Sequence, residues 1–325
     1  SGWLTTALLY LGTLLPVFLA IGLAAWWLGS GRESAIPLEW SGFVPRIDSI
    51  GEVVGVVAMF SFLSGLEVNS VHFRHVRDPQ RSIPRSLLFS GVLVLAISVL
   101  GALSVAVLVP VEEVDLAAGT LQVFSKVLGP LGWGWMVSIL AGLALAGMIG
   151  HIMVWVIGPT ESLRVAAEDG LIPPLFQRTT AGGAPRNVML LQAGVVSVLC
   201  LLMLFFDLNR IFYFLTIASA QVYLVMYVLM FVSVIVLRIR QPDVPRAFVI
   251  PGGMPGLLLV AGGGGITAVA GIVIMFWPPA TKDMAMDGST FTLSLLAVFV
   301  TVVTLPIVLY RFRNPDWKDR PGLPG

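Results

Sequence analysis

Long apolar runs recur from one end of the chain to the other, separated by short polar connections. A helix needs about 20 mostly apolar residues to cross the hydrocarbon core of a bilayer. Eight runs reach that length: Trp3–Leu28, Ile50–Phe73, Arg85–Val109, Leu131–Gly158, Asn187–Phe206, Ile211–Leu237, Gly256–Trp277 and Thr290–Tyr310. Proline and glycine punctuate them, with Pro84 before the third and Pro110, Pro159 and Pro278 closing the third, fourth and seventh. None alternates with the period of two that marks a membrane barrel strand. The pattern predicts an all-α polytopic membrane protein over residues 1–325.

Composition agrees. Hydrophobic residues make up 57% of the chain and charged residues 11%, with a mean hydropathy of +0.93. A soluble domain carries about 25% charged residues. The basic residues also set an orientation. Fourteen of the 19 Lys and Arg fall in alternate connections: Arg74, Arg77, Arg81 and Arg85; Arg164, Arg178 and Arg186; Arg238, Arg240 and Arg246; Arg311, Arg313, Lys318 and Arg320. Arg32, Arg46, Lys126, Arg210 and Lys282 occupy the others. Cytoplasmic loops are the basic ones, so both ends of the chain are expected in the cytoplasm.

Other chemistries are not visible. A net charge of +1 argues against a nucleic-acid partner, and the single cysteine, Cys200, offers no disulfide. His72 and His75 are three apart but lie among arginines with no carboxylate or cysteine in ligand spacing, so no metal site is expected. No phosphate loop, nucleophile elbow or paired-carboxylate signature is present, and neither an enzyme nor a cofactor is expected. The first run is too long for a signal peptide and lacks a basic start. With Ser1 in place of Met, residue 1 reads as a cut through a longer protein.

Ionisable groups at membrane depth are costly and face a protein interior or a watery path. Glu67 follows Ser64-Gly65 in the second run, and His151 lies in the fourth behind Gly147 and Gly150. Ser and Gly beside a carboxylate predict a helix interrupted in mid-membrane, with backbone groups open to a polar ligand. A carboxylate satisfied by a neighbouring helix is the plainer reading of Glu67, and a packing histidine near the interface that of His151. Tyr223 and Tyr227, four apart, share one face of the sixth run at mid-span, where a hydroxyl needs a partner or the ring packs in the core. Asn69 and Ser70 extend the polar stripe beyond Glu67, and Gly262–Gly265 permits close helix approach.

Several stretches together resemble the amino acid/polyamine/organocation (APC) transporter superfamily. Ser64-Gly65-Leu66-Glu67 and Arg77-Asp78-Pro79-Gln80-Arg81-Ser82-Ile83-Pro84 are similar to its G-V-E and N-P-x-R-x-x-P patterns, with Asp78 where Asn is usual. Trp155–Pro159 with Ala167–Pro173 resembles its eighth span and the loop that follows, and Gly183-Ala184-Pro185 the start of the ninth. Pro245–Gly253 is similar to the P-R-x-F-x-x-P-G-G that leads into the eleventh. Glu113–Phe124 resembles the N/D-L-x-A-G-x-x-Q-x-F external loop of bacterial glutamate/GABA antiporters, and Val222–Tyr227 carries the two tyrosines that line the substrate path in that family.

The resemblance implies a LeuT-like inverted-repeat fold, incomplete at the N-terminus, in which these runs are spans five to twelve of twelve. It places the substrate between the broken first and sixth helices, so that missing N-terminal spans of the same protein supply half the site. Ser64, Gly65, Glu67, His151, Tyr223 and Tyr227 are the substrate-binding or coupling candidates. His151 stands where the antiporters place an acidic residue, and their long C-terminal plug is not evident after Trp317. The expected function is secondary exchange of an amino acid or amine across the cell inner membrane. Proton-coupled uptake by an APC-type permease, or a non-transporting scaffold, is the alternative. The partners expected are the lipid bilayer and a small amino acid or amine, with oligomerisation left open.

Overall fold

The computed structural model describes residues 2–39, 47–61, 64–67, 76, 78–115, 118–205, 208–246, 248–279 and 287–318. Regular structure among them is helical: α1 (Gly2–Leu9), α2 (Leu15–Gly29), α3 (Ile50–Ser61), α4 (Pro79–Leu108), α5 (Gly119–Leu128), α6 (Gly134–Glu168), α7 (Arg186–Met203), α8 (Leu208–Arg240), α9 (Gly253–Leu257), α10 (Gly263–Ile274) and α11 (Gly288–Arg311). Wide π-helical turns at Tyr10–Leu14 and Leu258–Gly262 join α1 to α2 and α9 to α10. Among the described residues seven helices are long and apolar enough to cross a membrane, with α3 a shorter apolar one. No more than 22% of any of their most apolar windows is buried. Apolar side chains therefore cover the outside of these helices, the arrangement that hydrocarbon requires.

Two expected helix ends move. Pro84 does not open the third span, because α4 begins at Pro79, and Pro159 does not close the fourth, because α6 runs on to Glu168. Each proline removes one N–H donor. At Pro159 the bilayer edge offers little water to take up the backbone groups that an opened helix would expose, so the helix continues past the missing bond. At Pro84 the freed carbonyl is that of Gln80, on the basic connection, where water can take it up.

The chain divides into two compact units, Ser1–Arg46 with Leu87–Pro159, and Ile47–Ser86 with Thr160–Gly325. In the first, Ala20 and Ala24 of α2, Val107 and Leu108 of α4, and Leu140 of α6 pack around Val123, Phe124 and Val127 of α5. Gln122 staples the loop before α5. Its Nε2 donates to the Glu113 carbonyl at 2.7 Å, and its Oε1 accepts from the Asp115 N–H at 2.9 Å. Asp115 Oδ1 accepts in turn from the Ala118 N–H at 3.1 Å. The polar positions of the Glu113–Phe124 run thus hold a loop, and Phe124 is core; Leu116 and Ala117 lie outside the described residues. The Tyr10–Leu14 turn crosses α6 backbone against backbone. A Cβ on Gly12 would fall onto Gly147 N and Cα, and one on Gly147 would lie 2.6 Å from the Gly12 carbonyl oxygen and 2.8 Å from Thr13 Oγ1. Close approach through small residues is how helices associate in lipid, where no hydrophobic force draws them together.

In the second unit, Val54 of α3, Ile217 and Ala220 of α8, Met275, and Phe291 and Leu295 of α11 form the core. Phe214 meets Phe291 edge-on at 5.9 Å. Gln221, fully buried, donates Nε2 to the Ile272 carbonyl at 3.0 Å and so ties α8 to α10. Of the Gly262–Gly265 run, Gly264 makes the close contact, with the Phe231 ring 2.6 Å from where its Cβ would be. On the loop after α6, Gln177 Nε2 donates to the carbonyls of Ala167 at 2.7 Å and Trp317 at 3.1 Å, which seats the Pro315–Trp317 turn. Asp287 stands at the start of α11, where the Ser289 hydroxyl and then the Thr290 N–H hold its carboxyl below the usual carboxylate range.

Arg246 closes the other end of α8. Its guanidinium donates to the carbonyls of Pro242 (3.2 Å), Val244 (3.0 Å), Leu237 (3.0 Å) and Gln241 (2.6 Å). The last carbonyls of a helix have no partner within it, and a cation there also complements the helix dipole. Arg246→Ala is expected to destabilise the protein by about 1–3 kcal/mol, the scale of hydrogen bonds to a charged group. Lysine should recover less than half of this, because one ammonium cannot span four carbonyls. Thermal unfolding in detergent reads the effect; melting temperatures equal to wild type for both variants would dismiss the cap.

Candidate functional site

Helix α3 stops at Ser61, Ser64 and Gly65 are not helical, and Leu66–Glu67 turn in the tighter 3₁₀ sense. Gly65 has φ 101°, a conformation that a side chain bearing Cβ adopts only under strain. Regular helix is therefore lost near Ser64–Gly65 among the described residues, as expected, and the turn is written into the chain as a glycine. Asn69, Ser70, His72 and His75 lie outside the described residues.

The break is held by a side chain from far along the chain. Tyr227 of α8 donates its hydroxyl to Glu67 Oε2 at 2.7 Å. The Gly65 N–H is shared between Glu67 Oε2 at 3.2 Å and Tyr227 Oη at 3.3 Å. One carboxylate oxygen thus gathers a phenol and a backbone amide at the point where the helix opens. The other, Oε1, is buried without a hydrogen-bond partner among the described residues. Tyr223, one turn before Tyr227, also turns its hydroxyl to Glu67, and the two rings lie 6.2 Å apart at 51°. Phe231, one turn after, stacks on Tyr227 at 6.4 Å, so the aromatic stripe of α8 backs the node. Both tyrosines are partly buried, and the shared helix face read from their spacing is the face that meets Glu67.

His151 belongs to the other unit. It is exposed on α6 and lines a cavity of about 510 Å³ with Thr13, Thr120, Phe124 and Met148. Two hydroxyls and an imidazole on an otherwise apolar wall could take a small polar ligand. Among the described residues no group of three or more His, Cys, Asp or Glu could hold a metal ion. Sequence reasoning missed Gln221, whose buried amide fixes α10 behind the tyrosines, and Leu224, which with Val57 closes on Gly271. An amide in mid-span was the available signal for Gln221; Gly271 carried none.

A family model described as amino acid permease matches residues 1–305. The chain belongs to the amino acid permease family. The chain is 33% identical over 273 residues to an uncharacterized transporter of Legionella pneumophila, covering 83% of this chain and 58% of that protein. It is 27% identical over 312 residues to a glutamate/gamma-aminobutyrate antiporter of Lactococcus lactis, covering 95% of this chain and 62% of the relative. A probable agmatine/putrescine antiporter of the same species is 24% identical over 244 residues, 74% of this chain and 52% of that one. The chain thus spans about three-fifths of the length of the first two relatives. The resemblance to the APC superfamily is borne out, and the all-helical, multi-pass membrane architecture fits it.

Proposed function

We propose that the protein is a secondary transporter that exchanges an amino acid or its decarboxylated amine across the bacterial inner membrane, with the ligand engaged at the Ser64–Gly65 break. The observation that carries this reading is the node itself. A carboxylate at membrane depth, pinned on one oxygen by Tyr227 and Gly65 and bare on the other, sits where a membrane helix gives up its regular hydrogen bonds. Interrupted helices at the midplane are how such transporters bind polar solutes. The glutamate/gamma-aminobutyrate and agmatine/putrescine antiporters among its relatives support the solute class. Glu67 has two roles open to it, acceptor for a donor on the solute or carrier of a proton. The second supports proton-coupled uptake as the other reading, and counterflow separates the two. Vesicles preloaded with glutamate, GABA or a neutral amino acid should accelerate entry of labelled solute if the protein exchanges. Uptake driven by a pH gradient alone, without acceleration by internal solute, would overturn exchange.

The orientation follows from the basic bias. With Cys200 replaced by alanine, cysteines at Gln80, in the first turn of α4, and at Glu112, just beyond its far end, are expected to label from opposite faces, Gln80 from the cytoplasm. Labelling of both from one side would refute the topology. His151→Glu is expected to shift solute preference or the pH profile of exchange, with solute affinity changed by about 5–150-fold, the range of ordinary coupling energies, because a carboxylate brings a negative charge to a wall that now carries two hydroxyls and an imidazole. Unchanged preference and profile between pH 5 and 8 would leave His151 outside the transport path.

A further inference from the structure

The cavity of about 510 Å³ in the first unit is walled by the Tyr10–Leu14 turn with the start of α2, by the first half of α5, and by α6. A local device shapes its α2 side. Pro16 has no N–H for the Gly12 carbonyl four residues back, and the helix widens there: the Leu15 N–H reaches five residues back, to the Tyr10 carbonyl. Single wide turns inside helices are frequent at functional sites. This one carries Thr13, whose Oγ1 lies 2.8 Å from where a Gly147 Cβ would be. His151 is one turn further along the same face of α6, a rise of about 6 Å. Thr120 stands in the first turn of α5, and Phe124, Met148 and Ile152 supply apolar wall. We infer that the cavity binds a small uncharged molecule with an apolar body and one head group that both donates and accepts hydrogen bonds.

Volume, polar groups and charge each bear on this. Pockets for small molecules run from about 300 to 1,000 Å³, mostly apolar with a few placed polar groups. Elsewhere in the chain Thr267, Thr301 and Thr304 give their hydroxyls to a carbonyl one turn back. The side chains of Thr13, Thr120 and His151 hold no hydrogen bond among the described residues. A polar group withdrawn from water without a partner is costly, so three of them around one cavity call for something that fills it. A hydroxyl both donates and accepts, and two of them with an imidazole suit a head group that does the same. Among the described residues no Asp, Glu, Lys or Arg lines the cavity. An ammonium or a carboxylate would leave water there without a counter-charge, at a far higher cost than an amide or a hydroxyl. The competing account is ordered water alone, satisfying the same three groups. The Ser64–Gly65 break belongs to the second unit, and the inference does not rest on the function proposed for it.

The protein is reconstituted in nanodiscs and binding of tritiated 4-phenylbutanamide is read by scintillation proximity, with empty nanodiscs to subtract label held by lipid. Unlabelled 4-phenylbutyrate and 4-phenylbutylamine keep the body and change only the charge of the head group. The amide should bind saturably, and both ions should compete at least about tenfold more weakly, the least that burying an unpaired charge costs. Thr13→Val and Thr120→Val keep the shape and lose the hydroxyl. Each should weaken amide binding by roughly 2–12-fold, the worth of one neutral hydrogen bond, and His151→Leu should do the same. Thr267→Val, whose hydroxyl is bonded within its own helix, and Glu67→Gln should bind the amide as wild type does. The inference falls if the amide binds no better than to empty discs, the outcome expected of a cavity that holds water alone. It falls equally if either ion matches the amide, or if all three cavity variants bind unchanged in monodisperse protein. Loss of amide binding in Glu67→Gln would place the probe at the break and overturn it too. Amide binding in a protein that fails to exchange would uphold the cavity while refuting the transport reading.

Discussion

Glu67→Gln is expected to lower exchange by about 5–150-fold, the span of a 1–3 kcal/mol coupling, while leaving the protein folded. The amide keeps a carbonyl oxygen where Tyr227 and the Gly65 N–H now donate to Oε2, so the geometry of the break survives. What it lacks is the negative charge and the ability to bind and release a proton. If Glu67 couples transport to protons, the variant should also lose its pH dependence; if Glu67 only receives the solute, affinity should fall with the pH profile intact. Tyr227→Phe acts differently, because it removes both the donor to Glu67 and the second acceptor of the Gly65 N–H. Residues joined in one hydrogen-bond network do not add. The double variant should therefore be little worse than the weaker single one. Counterflow at several pH values reads all three. Full activity and an unaltered pH profile in Glu67→Gln would remove Glu67 from the mechanism and leave it a structural staple.

Gly147→Leu is expected to cost the protein its folded state in detergent. Forcing extra atoms into a packed site commonly costs about 1–3 kcal/mol, when side chains can give way. Here the obstruction is the Gly12 backbone, 2.6 Å from the new Cβ at its carbonyl oxygen, so the two helices must part for the side chain to enter. The loss should exceed about 3 kcal/mol, a large fraction of the 5–15 kcal/mol that holds a typical protein folded. Gly142→Leu is the control: same helix, same substitution, and no atom within 4 Å of its Cβ. The monodisperse peak in fluorescence size exclusion should collapse for Gly147→Leu and persist for Gly142→Leu. Equal yields of the two would show that the crossing is not a stabilising contact.

The sequence by itself determined the class of the protein, which stretches form long apolar helices, and that regular helix is lost at Ser64–Gly65. Each of these is written locally. Hydrocarbon demands an unbroken apolar run of fixed length, Gly65 supplies the one backbone conformation that ends the run, and a spacing of four puts Tyr223 and Tyr227 on one helix face. Proline misled at Pro159 because the rule that it ends helices was learned in water, where freed backbone groups find solvent, and at Pro84 because only the Gln80 carbonyl at the basic end of α4 is left for water to take up. Only the tertiary structure decided what the candidate groups do. It brought Tyr227 onto Glu67 across 160 positions of chain, sent Arg246 back to cap α8, turned the Glu113–Phe124 run into a loop staple, and opened His151 onto a cavity instead of burying it. A hydrogen-bond partner or a backbone crossing such as Gly12 on Gly147 depends on which distant segment arrives opposite, and periodicity along one helix carries no record of that.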